Sequence, residues 1–421
     1  MSGNRKLVLC FSLVAVVGLN ACGGGMPSQE SPILADFPAS VATLADPNVV
    51  AITVSTGPGN NVNIPYVTVT VCVPGTKTCK TIDHVLLDTG SVGLRLFASV
   101  LDAAEPLTLP AHQIGGSSSI SECAQFLSIL AWGSVRLADV KIGAELAANV
   151  PIQVMDSDFP ASLSDTCGSN PVIKLDEATP GNQQQFSANG ILGVGTFVND
   201  GQHYFKCTSD KTCLIATRSW EQVQNPVALF PVNNNGVVVH LPSLGDKGAA
   251  TAKGYLIFGI ATQTNNQLET ATVIPLKYGS WAFTTIYKDR RFANSLIDSG
   301  SNGYFFPDTS LSTATCTVSA DFYCPATAQS LSATIQLAGT TSMPVNPNGK
   351  TRIAVNFSIA NADTLFSDSH FALNNLGGFT GSAGFVWGLP FFFGRSVFTA
   401  IEGKPVGELK GPFYAFTDLP Y

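Results

Sequence analysis

Charge is what this sequence has least of: only 12% of its 421 residues are Asp, Glu, Lys or Arg, about half the share usual in a soluble domain. Its 22 basic residues form no cluster, which excludes the electrostatic footprint of a nucleic-acid binder. Ser, Thr, Asn and Gln must therefore cover much of the surface. Histidine is scarce, and His84, His112, His203, His240 and His370 stand isolated, each read as structural. No H-E-x-x-H, G-x-x-x-x-G-K-[ST] or G-x-S-x-G occurs, so a helical zinc site, a P-loop and an α/β-hydrolase elbow are all excluded. Long stretches with helical period and caps are rare as well.

What the chain has instead is short β-type runs. Examples are "YVTVTVCV" (Tyr66–Val73), "HVLLD" (His84–Asp88), "GVVVHLP" (Gly236–Pro242), "GYLIFGI" (Gly254–Ile260), "ATIQLAG" (Ala333–Gly339) and "RIAVNFSI" (Arg352–Ile359). Alternation or β-branching, with Gly, Pro and Asn clusters between runs, predicts a mostly β fold. "FFF" (Phe391–Phe393) reads as buried strand packing. Linker-like composition recurs at Leu244–Lys253 and Ala261–Gln267. The second stretch is taken as the boundary between an N-terminal lobe, 36–262, and a C-terminal lobe, 263–421.

The N-terminus reads as a targeting segment, 1–21. Arg5 and Lys6 precede an apolar stretch of 13 residues, Leu7 to Leu19, too short to span a bilayer as a helix and suited to a signal peptide. It ends in Leu19-Asn20-Ala21-Cys22, which resembles a bacterial lipobox, whose cysteine is lipidated and becomes the first mature residue. An ordinary signal peptide with an incidental cysteine is the alternative. Residues 22–35, opening with three glycines after Cys22, suit a flexible tether. Gly rather than Asp after the cysteine favours, by the same resemblance, the outer membrane, facing the periplasm or the surface. Without Arg5 and Lys6 the 22 basic residues become 20 against 29 acidic, a formal charge of −9. About 400 residues remain, enough for two lobes with separate cores.

Of ten cysteines, Cys10 lies in the signal and Cys22 at the lipid position. The other eight, an even number in an exported chain, read as disulfides. Cys72/Cys79, Cys207/Cys213 and Cys316/Cys324 are close pairs, leaving Cys123/Cys167 by elimination. Zinc is the rival reading, but neither C-x-x-C nor His at ligand spacing accompanies them.

One phrase is written twice, 210 residues apart: "VLLDTGSVGLRLF" (Val85–Phe97) and "SLIDSGSNGYFFP" (Ser295–Pro307). The copies align Leu86 with Leu296, Leu87 with Ile297, Asp88 with Asp298, Thr89 with Ser299, Gly90 with Gly300, Ser91 with Ser301 and Gly93 with Gly303. In each, an apolar strand delivers an Asp to a tight turn where Gly allows backbone other residues resist. If the halves pack face to face, the Thr89 and Ser299 hydroxyls can bond backbone across a pseudo-twofold axis. Ser91 and Ser301 can bond the carboxylates. Two carboxyls in contact cannot both ionise cheaply, so they share a proton. One then polarises water and the other protonates a carbonyl oxygen or leaving nitrogen, which suits amide hydrolysis without metal or cofactor.

Two further segments fall between and after these phrases. "ANGILGVG" (Ala188–Gly195) follows Asp88, and "FVWGLPFFFGRSVFTAIEG" (Phe385–Gly403) follows Asp298. With them the chain resembles the pepsin-like aspartic peptidases over most of Val49 to Phe416. In that family such a segment threads behind each catalytic loop to make a ψ-shaped arrangement, placing Gly193 and Gly388 behind the two Asp loops. The chain also resembles an uncharacterised bacterial lipoprotein family carrying these motifs, including "NPVALFPVNNNG" (Asn225–Gly236). The resemblance implies a bilobal fold of two β-barrel-like lobes with a cleft between them, and Asp88 and Asp298 as the catalytic pair. Thr89, Gly90, Ser91, Ser299, Gly300 and Ser301 support that pair, and an extended polypeptide is the substrate of a monomer.

Two departures stand out. The family covers its cleft with a hairpin bearing a Tyr in a Tyr-Gly-Thr-Gly-like turn. The corresponding "SECAQFLSILAWGSVRLADVKIG" (Ser121–Gly143) has none, leaving Phe126 or Trp132 to cover the cleft or to serve as core. The family's Trp seven residues after the first Asp is Arg95 here. The expectation is therefore a lipid-anchored envelope aspartic endopeptidase. The alternative is an inactive module of the same fold that binds a peptide, glycan or envelope enzyme.

Overall fold

The computed structural model describes residues 33–34, 42–114, 118–126, 129–156, 173–175, 186–207, 213–216, 222–311, 316–317, 321–337, 350–380 and 384–418. The proposed signal, Cys22, the tether apart from residues 33–34, and Cys167 lie outside them.

Strands dominate. The first half lays down β1 (Val49–Val54), β2 (Pro65–Cys72), β3 (Cys79–Asp88), β4 (Val92–Phe97), β5 (Ser118–Gln125), β6 (Ile129–Ile142), β7 (Glu145–Met155), β8 (Gly190–Val194), β9 (His203–Cys207), β10 (Gly236–Leu241) and β11 (Ala252–Phe258). The second half adds β12 (Thr272–Pro275), β13 (Phe283–Tyr287), β14 (Arg290–Ile297), β15 (Tyr304–Phe305), β16 (Gln329–Gln336), β17 (Arg352–Ile359), β18 (Val386–Trp387), β19 (Arg395–Ala400) and β20 (Phe413–Asp418). This is the mostly β architecture expected, in two lobes.

A six-stranded antiparallel sheet joins the lobes, in the order β12, β20, β19, β10, β11, β1. Three of its strands come from residues before the 261–267 stretch and three from residues after it. The centre lies between β10 and β19, where Val238 faces Phe398 and Val239 faces Val397. Every residue of β10 is buried, as a strand covered on both faces requires, and the run Gly-Val-Val-Val-His-Leu supplies apolar side chains for both. The linker-like residues at 261–267 hold only a short turn between β11 and β12, and both of those strands belong to this shared sheet.

Each lobe then builds its Asp loop in the same way. In the N-terminal lobe β8 lies between β3, to which it is parallel with Gly193 beside Asp88, and β4, to which it is antiparallel with Gly193 beside Gly93. In the C-terminal lobe β18 lies parallel to β14 and antiparallel to β15. No room is left for side chains at the crossings. A Cβ on Gly193 would stand 2.5 Å from Val92 N, and one on Gly388 would stand 2.1 Å from Gly303 O.

Both Asp-bearing strands also carry an extra residue at the same place. Val67 pairs with Val85 but Val69 pairs with Ile82, so Asp83 and His84 together face Thr68, with His84 at φ 48°. Likewise Phe283 pairs with Ser295 but Thr285 with Phe292, so Ala293 and Asn294 together face Thr284. These bulges reset the side-chain alternation just before each Asp.

Cys72–Cys79, Cys207–Cys213 and Cys316–Cys324 are disulfides, which removes the zinc reading for those six. Cys123 is buried in β5, and its pairing with Cys167 falls outside the described residues. Phe391, Phe392 and Phe393 are buried as read, but Leu389–Phe391 forms a 3-10 turn rather than a strand. Pro390 cannot donate to a ladder, and the turn packs Phe391 against Trp387 at 5.4 Å.

Candidate active site

Asp88 ends β3 and Asp298 follows β14 directly, so both carboxyls stand where these strands have become buried on both faces. Asp88 is 7% exposed and Asp298 4%. Each loop turns so that the glycine two residues on donates its N–H to the carboxylate. Gly90 N lies 2.8 Å from Asp88 Oδ1, and Gly300 N lies 2.8 Å from Asp298 Oδ1.

The loops also interlock. Thr89 N donates to Ser299 Oγ at 3.1 Å, and Ser299 N donates to Thr89 Oγ1 at 3.0 Å. The same hydroxyls donate onward, Thr89 to Ile297 O at 3.3 Å and Ser299 to Leu87 O at 2.7 Å. Each glycine lies against the opposite carboxyl: a Cβ on Gly90 would be 2.6 Å from Asp298 Cγ, and one on Gly300 would be 2.7 Å from Asp88 Oδ1. Asp88 and Asp298 are thus brought together, each carboxyl against the glycine of the opposite loop.

Electrostatics follow from that contact. Burial pushes Asp298 well above the usual carboxylate range, and the charge and hydrogen bond of Asp88 push it further. The Ser301 hydroxyl and Gly300 N–H pull the other way without prevailing. Two carboxyls in such contact cannot both ionise cheaply.

The two serines differ. Ser301 Oγ donates to Asp298 Oδ2 at 2.6 Å, whereas Ser91 Oγ is buried without a hydrogen-bond partner among the described residues. The expected support of Asp88 by Ser91 is therefore not made. Ser91 lies instead on the wall of a cavity.

That cavity, 490 Å³, runs from Thr89, Gly90 and Ser91 to Gln125 and Phe126 at the end of β5, with Trp281, Leu296 and Tyr414 from the second half of the chain. Phe126 thus faces the cavity. Trp132 does not, being 2% exposed and packed against Phe205 at 5.7 Å; the alternation along β6 turns it into the core. The phenol of Tyr414 is pushed up by burial and then by the charges of Asp298 and Asp88, so it stays a neutral hydroxyl beside the pair.

Residues 45–416 match the model of a family described as "Protein of unknown function (DUF3443)". The chain belongs to that family. No curated protein matches it. Among solved structures, this member of the family is similar to the crystal structure of the aspartic proteinase from Irpex lacteus. The two are 13% identical over 89% of this chain and 97% of that one, with a TM-score of 0.49. The paired Asp loops, the two ψ-shaped crossings and the shared sheet carry the assignment of a bilobal pepsin-like fold.

Sequence reasoning missed Glu122, Asp200, Trp281 and Tyr414. Arg95 alone gave a signal: a charge within Val-Gly-Leu-Arg-Leu-Phe, a run buried throughout, must have buried partners. Nothing in one sequence says that they are Glu122 and Asp200, 27 and 105 residues away.

Proposed function

We propose that the chain is an aspartic-type endopeptidase in which Asp88 and Asp298 activate water for amide hydrolysis. The observation that carries this reading is the buried carboxyl pair brought together by matching bonds from two loops. In the reaction the ionised member takes a proton from water as the oxygen attacks the carbonyl carbon. The protonated member gives its proton to the carbonyl oxygen, and collapse of the tetrahedral species returns a proton to the leaving nitrogen. Strand-like pairing of an extended polypeptide between the lobes would supply binding. We further propose that a lipid on Cys22 tethers the enzyme to the cell envelope; Cys22→Ser should move the protein from the detergent phase to the soluble fraction.

The second reading is a module that binds without cleaving, favoured by the hairpin's lack of a tyrosine and by the unmade Ser91 bond. The full chain in detergent, offered a pool of denatured proteins across a range of pH, separates the two. The peptidase reading expects pepstatin-sensitive cleavage that Asp88→Asn and Asp298→Asn each abolish. Pepstatin binding without turnover would support the module. Undiminished cleavage by either variant would sink the dyad.

A further inference from the structure

Arg95 lies one strand behind Asp88, 1% exposed, in a run whose other members are apolar or glycine. Its guanidinium joins three segments. Nη2 donates to Glu122 Oε1 and to Asp200 Oδ2, each at 2.5 Å, while Nη1 donates to Val92 O at 2.7 Å. Glu122 sits on β5, the first strand of the hairpin, and Asp200 sits in the loop between β8 and β9. Their side chains are 0% and 2% exposed.

The remaining contacts tie the same hairpin down. Tyr204, paired with Glu122 across β5 and β9, donates its hydroxyl to Asp200 Oδ1 at 2.7 Å. Gln153 Nε2 donates to Glu122 O at 2.9 Å. At the end of β5, Gln125 N donates to Gln202 Oε1 at 2.9 Å, and Gln202 Nε2 returns a bond to Gln125 O. The guanidinium carbon of Arg95 stands 5.5 Å over the ring of Phe126. Burial pushes Glu122 up and the neighbouring Asp200 adds to it, against the pull of Arg95.

An apolar core would serve stability at least as well as buried charges. What an apolar core would not give is direction, because one planar guanidinium holds both carboxyls through Nη2 and the Val92 carbonyl through Nη1. The cluster stands where direction counts: Arg95, Asp200, Gln202, Gln125 and Phe126 line the same cavity as Thr89, Gly90 and Ser91.

We propose that Arg95 is a positioning residue that sets the hairpin against the Asp88 loop: through Glu122 it fixes β5, and through Phe126 it fixes the cavity wall beside the carboxyl pair. The assignment of that cavity to substrate rests on the peptidase reading; the positioning itself does not.

The test uses the full chain and the variants Arg95→Lys, Phe126→Ala and the double. Lysine keeps the charge but has one nitrogen on a shorter reach, so it cannot hold both carboxyls and the Val92 carbonyl at once. Amides of Ser118–Gln125 should exchange with solvent about tenfold faster in Arg95→Lys, while those of β10 and β19 keep their wild-type rates. Pepstatin affinity should weaken about tenfold in each single variant and no further in the double, since the residues act in series. Unchanged exchange in Arg95→Lys, or affinity losses that multiply, would overturn the proposal. Should Arg95→Lys not fold, Glu122→Leu removes only the hairpin-side partner and must give the same local exchange. A wild type that neither cleaves nor binds pepstatin sinks the peptidase reading, and the exchange comparison then decides on Arg95 alone.

Discussion

Thr89 and Ser299 exchange hydrogen bonds across the pseudo-twofold axis, each hydroxyl accepting the other's backbone N–H. Both residues are buried, so the two loops cannot separate without leaving two donors unpaired, at about 1–3 kcal/mol each. The contact between the carboxyls is held by the backbone of the opposite loop rather than by the carboxyls themselves.

The closest approach in that contact is at glycine. Gly90→Ala and Gly300→Ala should each place a methyl less than 3 Å from the opposite carboxyl. The expected result is a loss of about 100-fold or more in kcat/KM, as for other displacements of about 1 Å. Circular dichroism and thermal melts should show a folded protein, because the clash is confined to the loop tips.

The unequal serines give a second expectation. Ser301→Ala removes a bond that favours the Asp298 carboxylate, so Asp298 should hold its proton more tightly. The high-pH limb of the kcat/KM profile should move upward, with a cost of about 1.5–3 kcal/mol for the lost charged-group bond. Ser91→Ala removes no such bond and should leave the limb in place.

Asp298 also makes stability depend on pH. Its folded value lies above its unfolded one, so its contribution is complete below the usual carboxylate pKa of about 3.9 and is lost as pH rises through the raised value. Asp298→Asn should therefore melt at a higher temperature than wild type near pH 7. The two curves should converge near pH 3.5.

His240 works from the other side. Burial in the central strand lowers it to about 4, with Nδ1 held 2.6 Å from Ser396 Oγ. A depressed value means stability that is present above about pH 6.5 and is lost as pH falls through about 4, worth about 3 kcal/mol over that window. His240→Gln, which does not titrate, should flatten the acid side of a plot of Tm against pH. A strongly acidic working range would suit this molecule poorly.

The repeated Asp phrase and the two glycine segments were legible because each is a contiguous run with its chemistry inside it. Three disulfides were legible for the same reason, each closing a loop of 6 to 8 residues. The shared sheet was not, since its order interleaves strands from both ends of the chain and pattern says nothing about which strand pairs with which. Ser91 read as the twin of Ser301 in sequence, yet only one of them reaches its carboxylate. The Arg95 cluster was half legible: the arginine declared itself, but its partners are set by tertiary packing.

The bulges before Asp88 and Asp298 share no residue identity, Asp83-His84 in one and Ala293-Asn294 in the other. The phrases that follow them share the Asp, both glycines and the serine between them. Where the two halves of the chain differ in letters, they keep a count, because one residue fewer would turn every later side chain to the opposite face. The site therefore depends on an interval as well as on its residues. Substitution within either bulge should be far better tolerated than deletion of a single position, which would send the following Asp carboxyl into the core.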